Sequence, residues 1–73
     1  MARRRQWWNG RFADSARQDV YLWFEDSRWH VEARRGNFTL SSRFFLFDDQ
    51  AEAWAMVLAI LSGEGEGWRE VHP

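Results

Sequence analysis

Cysteine and lysine are both missing from this chain, and no apolar run is long. The lack of cysteine excludes disulfides and thiolate metal sites, and it fits a reducing, cytoplasmic setting. With lysine absent, all ten basic residues are Arg, a choice that a GC-rich, bacterial type of coding sequence explains better than chemistry does. It speaks to source and not to function. The longest uncharged stretch, Ala53 to Gly63, spans eleven residues, short of the roughly 18 needed to read a membrane span. Arg3-Arg4-Arg5 begins as a signal peptide would, but Gln6, Asn9, Gly10 and Arg11 stand where its apolar stretch should be. The expectation is a soluble chain with no membrane partner.

Aromatic residues are plentiful. Six Trp, six Phe and one Tyr fall within 73 residues, and each such ring can bury about 150–250 Å². A chain of this size draws only about 3–5 kcal/mol from a single core. A small sheet with one core face cannot cover all thirteen rings, so some should lie at a groove or an interface. Charge is polarised: residues 1–43 carry nine Arg and five acids, residues 44–73 one Arg and six acids, for a total of −1. The halves could complement one another within a fold or between copies, and the near-neutral sum argues against a dedicated nucleic-acid binder.

The pattern predicts an α+β domain: a three-stranded antiparallel sheet packed on one C-terminal helix, with an optional short strand near the C-terminus. Residues 1–18 form an Arg/aromatic arm, 19–62 the core, and 63–73 a Gly/Glu hinge and docking tail. Val20 to Glu25 and Trp29 to Arg34 alternate as paired strands. If Asp26-Ser27 is the loop, Phe24 faces Trp29, Leu22 faces Val31 and Val20 faces Ala33. The same register sets Glu25 against Arg28 and Asp19 against Arg34. A longer loop is the alternative, because Asp-Ser is weaker turn chemistry than Asp-Gly. A third strand is expected over about Phe38 to Phe47. Pairing through Arg35-Gly36 or Gly36-Asn37 puts Phe38, Leu40, Ser42, Phe44 and Leu46 on the core side, unless a bulge at Ser41-Ser42-Arg43 reverses Phe45 and Phe47. A helix follows, capped by Asp48 or Asp49 with Glu52 and stopped by Gly63. Its core stripe is read as Ala51, Trp54, Ala55, Leu58 and Leu61, with Val57 beside it.

Chemistry is sparse. On the sheet face away from the helix, His30, Glu32 and Ser41 could be drawn as base, orienting acid and nucleophile. An open face supplies neither an oxyanion site nor water exclusion, so no enzyme and no catalytic residue is assigned. His30, Glu32 and His72 share no metal-ligand spacing, and no metal or cofactor is expected. Gly63-x-Gly65-x-Gly67 leaves a helix between acidic residues, unlike a phosphate loop. The arm is the stronger signal, because Arg3, Arg4, Arg5 and Arg11 can meet phosphates while indoles stack on bases. Its bland counterpart is equally physical: Trp7, Trp8 and Phe12 cover apolar sheet surface.

Trp29-x-Val31, the basic turn Arg34-Arg35-Gly36, and Phe47 followed by Glu52-Ala53-Trp54 resemble the three-stranded-sheet-plus-helix arm-binding domain of tyrosine integrases. The resemblance covers residues 20–61 and implies a sheet entering a DNA groove, with Arg34 and Arg43 as contacts. The chain departs from that pattern in Glu32 on the same face, an acidic helix and the lack of Lys-rich strands. The functional expectation is a non-enzymatic protein-interaction module, a homodimer or a binder of another protein, using Trp7, Trp8, Phe12, Tyr21 and Trp23. The alternative is a nucleic-acid-binding module using Arg3, Arg4, Arg5, Arg11, Arg34 and Arg43. No small-molecule substrate is expected.

Overall fold

The computed structural model describes residues 4–11, 17–36, 41–63 and 67–71. Strand β1 (Arg5–Trp8), β2 (Gln18–Glu25), β3 (Arg28–Arg35) and β4 (Ser41–Phe47) precede helix α1 (Gln50–Gly63), and β5 (Arg69–Val71) follows it. They build one five-stranded antiparallel sheet in the order β4-β3-β2-β1-β5. Two expectations are corrected. The sheet has five strands instead of three, because residues 5–8 of the arm pair beside β2 and the tail pairs beside them. The helix is not C-terminal, since β5 returns from it to the sheet.

The β2–β3 hairpin has the register read from the sequence, from Gln18 opposite Arg35 to Glu25 opposite Arg28. Asp26 (φ 53°) and Ser27 (φ 64°) are both left-handed, the signature of a type I′ turn whose twist matches that of its strands. Glycine is the residue best suited to such a backbone, and a non-glycine residue held there stores about 1–2 kcal/mol.

In β4 the faces are reversed. Ser41 pairs with Arg35, Phe45 with Val31 and Phe47 with Trp29, so residues 36–40 form a connection of odd length. One residue of parity exchanges the two faces of a strand. Phe45 and Phe47 therefore pack against the core, whereas Phe44 and Leu46, expected inside, are 62% and 52% exposed. Phe38 and Leu40 lie outside the described residues.

Helix α1 starts where its cap was expected, with the Ala51 backbone N–H donating to Asp49 Oδ1 at 3.2 Å. Of the stripe read from the sequence, Trp54 and Leu61 pack against the core and Val57 is buried, but the centre of the stripe lies elsewhere. Ala53 and Val57 are fully buried and Met56 and Ile60 pack beside them, while Leu58 is 47% exposed and Ala51 and Ala55 face solvent. This stripe lies on β2, β3 and β4, where Val20, Leu22 and Val31 are buried beneath it with Trp7 alongside. Among the described residues no helix is long and apolar enough to cross a membrane.

The approach of β5 to β1 depends on two glycines. A Cβ on Gly10 (φ 79°) would stand 3.0 Å from the Gly67 carbonyl oxygen, and one on Gly67 (φ 99°) 3.1 Å from that of Asn9. Backbones pass that closely only where side chains are absent.

Candidate interaction surface

Helix α1 covers one face of the sheet and leaves the other open. Strand alternation places Trp8, Asp19, Tyr21, Trp23, His30, Glu32 and Arg34 on that open face, joined by Ser42, Phe44 and Leu46 from β4. The rings there are topped by guanidinium groups. Arg4 lies 4.5 Å from the Trp23 ring centroid, Arg34 4.9 Å from Tyr21, and Arg17 5.5 Å from Trp8. His30 stacks on Trp23 at 5.0 Å, and the Trp23 indole N–H donates to Glu25 at 3.0 Å. Trp23 is buried although it lies on the face away from α1, the one helix among the described residues.

The same Arg residues neutralise two carboxylates sunk in the face. Glu32 and Asp19 are only 4% and 5% exposed; Arg34 Nε meets Glu32 at 2.7 Å and Arg17 Nε meets Asp19 at 3.0 Å. A buried charge is tolerable only when paired in this way. The bond to Glu32 raises the Arg34 pKa above its ordinary value. Arg5 is engaged likewise on the helix side, with both Glu70 oxygens at 2.9 and 3.0 Å and the Trp7 and Trp54 rings each at 4.9 Å.

The structure separates the residues grouped by the sequence. Trp7 belongs to the core, 5.5 Å from Trp54, while Trp8, its neighbour in sequence, lies on the open face and donates its N–H to the Arg11 carbonyl at 3.0 Å. Arg34 and Arg43 point to opposite faces, because Arg43 pairs with Ala33. Both still line a small pocket of about 200 Å³ with Gln18, Arg35 and Ile60. Arg3 and Phe12 lie outside the described residues. Phe44 and Leu46 were missed because the sequence reading turned them inward; the FFLF run of β4 was the available signal.

His30 and Glu32 are not joined to one another. The Glu32 carboxylate is bound to Arg34, and His30 Nε2 engages the Glu25 carbonyl oxygen at 3.0 Å, so acid and imidazole have separate partners. A larger open cleft of about 480 Å³ sits at the start of α1, lined by Arg5, Leu22, Trp29, Gln50, Ala51 and Trp54. Its one charged side chain, Arg5, is the partner of Glu70.

Tyr21 reports the electrostatics of the open face. Burial pushes its phenol pKa up, and the charges of Asp19 and Glu32 add to the shift while Arg34 and Arg17 oppose it. A raised value means that the folded state holds the proton more tightly, so Tyr21 contributes stability below the unfolded pKa of about 10 and loses it as pH rises through the folded value. Tyr21 is the single tyrosine, so ultraviolet phenolate absorbance titrates it alone. The native midpoint should lie above about 10 and return to about 10 in urea; equal midpoints would remove this account of the face.

No family profile, curated protein or solved structure matches this chain.

Proposed function

We propose that the chain is a small, non-enzymatic protein-interaction module, cytoplasmic in setting, that associates with itself through apolar surface its own helix leaves uncovered. The observation that carries this reading is the position of Phe44 and Leu46. They are 62% and 52% exposed, share one face, and stand on a strand at the rim of the sheet. Contiguous apolar surface of this kind on a small domain marks an interaction site. Glu32 and His30 of β3 border it, and the candidates Tyr21 and Trp23 lie on the same face one strand beyond, with Trp8 further across on β1. Light scattering at micromolar concentration should give the mass of two 8.8 kDa chains, nearly independent of salt.

Nucleic-acid binding is the second reading, favoured by the convergence of Arg34, Arg35 and Arg43 on one pocket. Phosphate contacts make affinity fall steeply with salt. A monomeric mass together with salt-sensitive binding of DNA or RNA would replace the first reading by the second.

A further inference from the structure

We propose that two copies of this chain join through their β4 edges, antiparallel and centred on Phe45, so that the two sheets run on as one. The inference rests on the self-association proposed above and names its interface. Among the described strands β4 pairs on one side alone, with β3. Its other side presents a row of backbone donors and acceptors over seven residues, Ser41–Phe47. Sheet edges are ordinarily blunted by Lys, Pro, a bulge or an inward charge. The sequence SSRFFLF has no Pro, and its one charge, Arg43, stands on the helix side of the strand but is exposed to solvent. Another extended strand satisfies such a row by adding itself to the sheet.

Side chains select a second copy as that strand. Centring on Phe45 sets Phe44 opposite Leu46 of the second copy and Leu46 opposite its Phe44, which covers the four exposed side chains at once. On the helix side Phe45 meets its own equivalent, and Arg43 meets Phe47 of the second copy, where a cation can rest on the ring. The two Arg43 side chains never oppose one another. Shifting the centre to Phe44 would set Leu46 against Ser42 and lose half of the apolar pairing, and cross-strand pairs are what determine register. A two-fold axis normal to the sheet keeps both helices on one side. Helix α1 rests on β2, β3 and β4, centred over β3, so the helices would stand three strand spacings apart, about 14 Å. That is wider than the roughly 8–10 Å of packed helices, so they do not collide. The opposite edge, β5, has three residues and two charges, too little to do the same.

The absence of native cysteine makes a cross-linking test direct. Under mild oxidation Phe45→Cys should form a covalent dimer, because its symmetric pair would have Cα atoms about 4.5–5.5 Å apart, within disulfide reach. Phe44→Cys or Leu46→Cys alone should cross-link roughly tenfold more slowly, since like residues are then diagonal at about 7–8 Å. An equal mixture of those two variants should cross-link readily, and it leaves Phe45 in place should its replacement unfold the chain. The double variant Phe44→Lys/Leu46→Lys should be monomeric by light scattering with an unchanged melting temperature, whereas Leu58→Lys on the exposed helix face should remain dimeric. A lysine variant that stays dimeric, or cross-linking that does not follow this order, would overturn the β4 interface while leaving self-association intact. A monomeric parent chain would overturn both, and growth beyond two copies would overturn the closed two-fold pairing.

Discussion

Replacing Val57 with Asp should unfold the domain, whereas replacing its neighbour Leu58 with Asp should change stability by no more than about 0.5 kcal/mol. Val57 is 0% exposed and Leu58 is 47% exposed, although both sit in the middle of the same apolar helix. Val57 lies in the buried cluster with Val20, Leu22 and Val31, whose described members are all apolar. An uncompensated buried charge costs about 3–5 kcal/mol. That matches the whole of what a chain this short is expected to hold, about 3–5 kcal/mol. Urea denaturation followed by far-ultraviolet circular dichroism measures both variants. The reverse order, with Leu58→Asp the more damaging, would mean that α1 presents the other stripe to the sheet.

Trp7→Ala is the second large effect, expected at about 3–5 kcal/mol. Trp7 is 6% exposed, packs against Trp54 with ring centroids 5.5 Å apart, and bears the Arg5 guanidinium 4.9 Å from its ring. Its strand joins β2 on one side and β5 on the other. Loss of the indole therefore loosens both the helix contact and the attachment of the tail. Trp8→Ala removes a half-buried ring touched by Arg17 and Arg69 at 5.5 and 5.9 Å, contacts worth about 0.5–1 kcal/mol at exposed sites. Equal losses at the two positions would show that β1 is a loose arm and not a member of the cooperative sheet.

These two pairs of neighbours also mark where sequence reasoning stops. Between Ala53 and Gly63 no residue is charged, so more than one helical stripe is apolar and periodicity has nothing to reject. The Leu58 stripe and the Val57 stripe are equally good on paper; contact with Val31 and Phe45 selects the second. At Trp7-Trp8 the ambiguity is sharper, because adjacent residues of one type carry no pattern at all. Trp7 faces the core because it pairs with Val20 across the sheet, and that pairing joins segments too far apart for local propensity to specify.

For the candidate surface the decisive quantity was the length of one connection. Either two-residue turn after β3 would have buried Phe44 and Leu46; the connection 36–40 is odd and turns them outward. Gly36 and Asn37 do announce a turn, but turn-forming residues mark a place and do not count the residues around it. The Arg-capped rings escaped notice for a related reason. Arg17, Arg34 and Arg4 are dispersed in sequence and converge only when β1, β2 and β3 lie side by side.

The amino-acid sequence by itself determined the register of the β2–β3 hairpin, though not the full length of its strands, and the extent of α1 between a cap at Asp48 or Asp49 and Gly63. In both, every interaction that decides the outcome is local: alternation, facing charges and a two-residue turn in one, a capping side chain and a terminal glycine in the other. The tertiary structure alone decided which helix stripe is buried, which face of β4 is exposed, and that residues 5–8 join the sheet between β2 and β5. Each of these is a choice between arrangements of similar local energy, and contacts between residues distant in sequence break the tie.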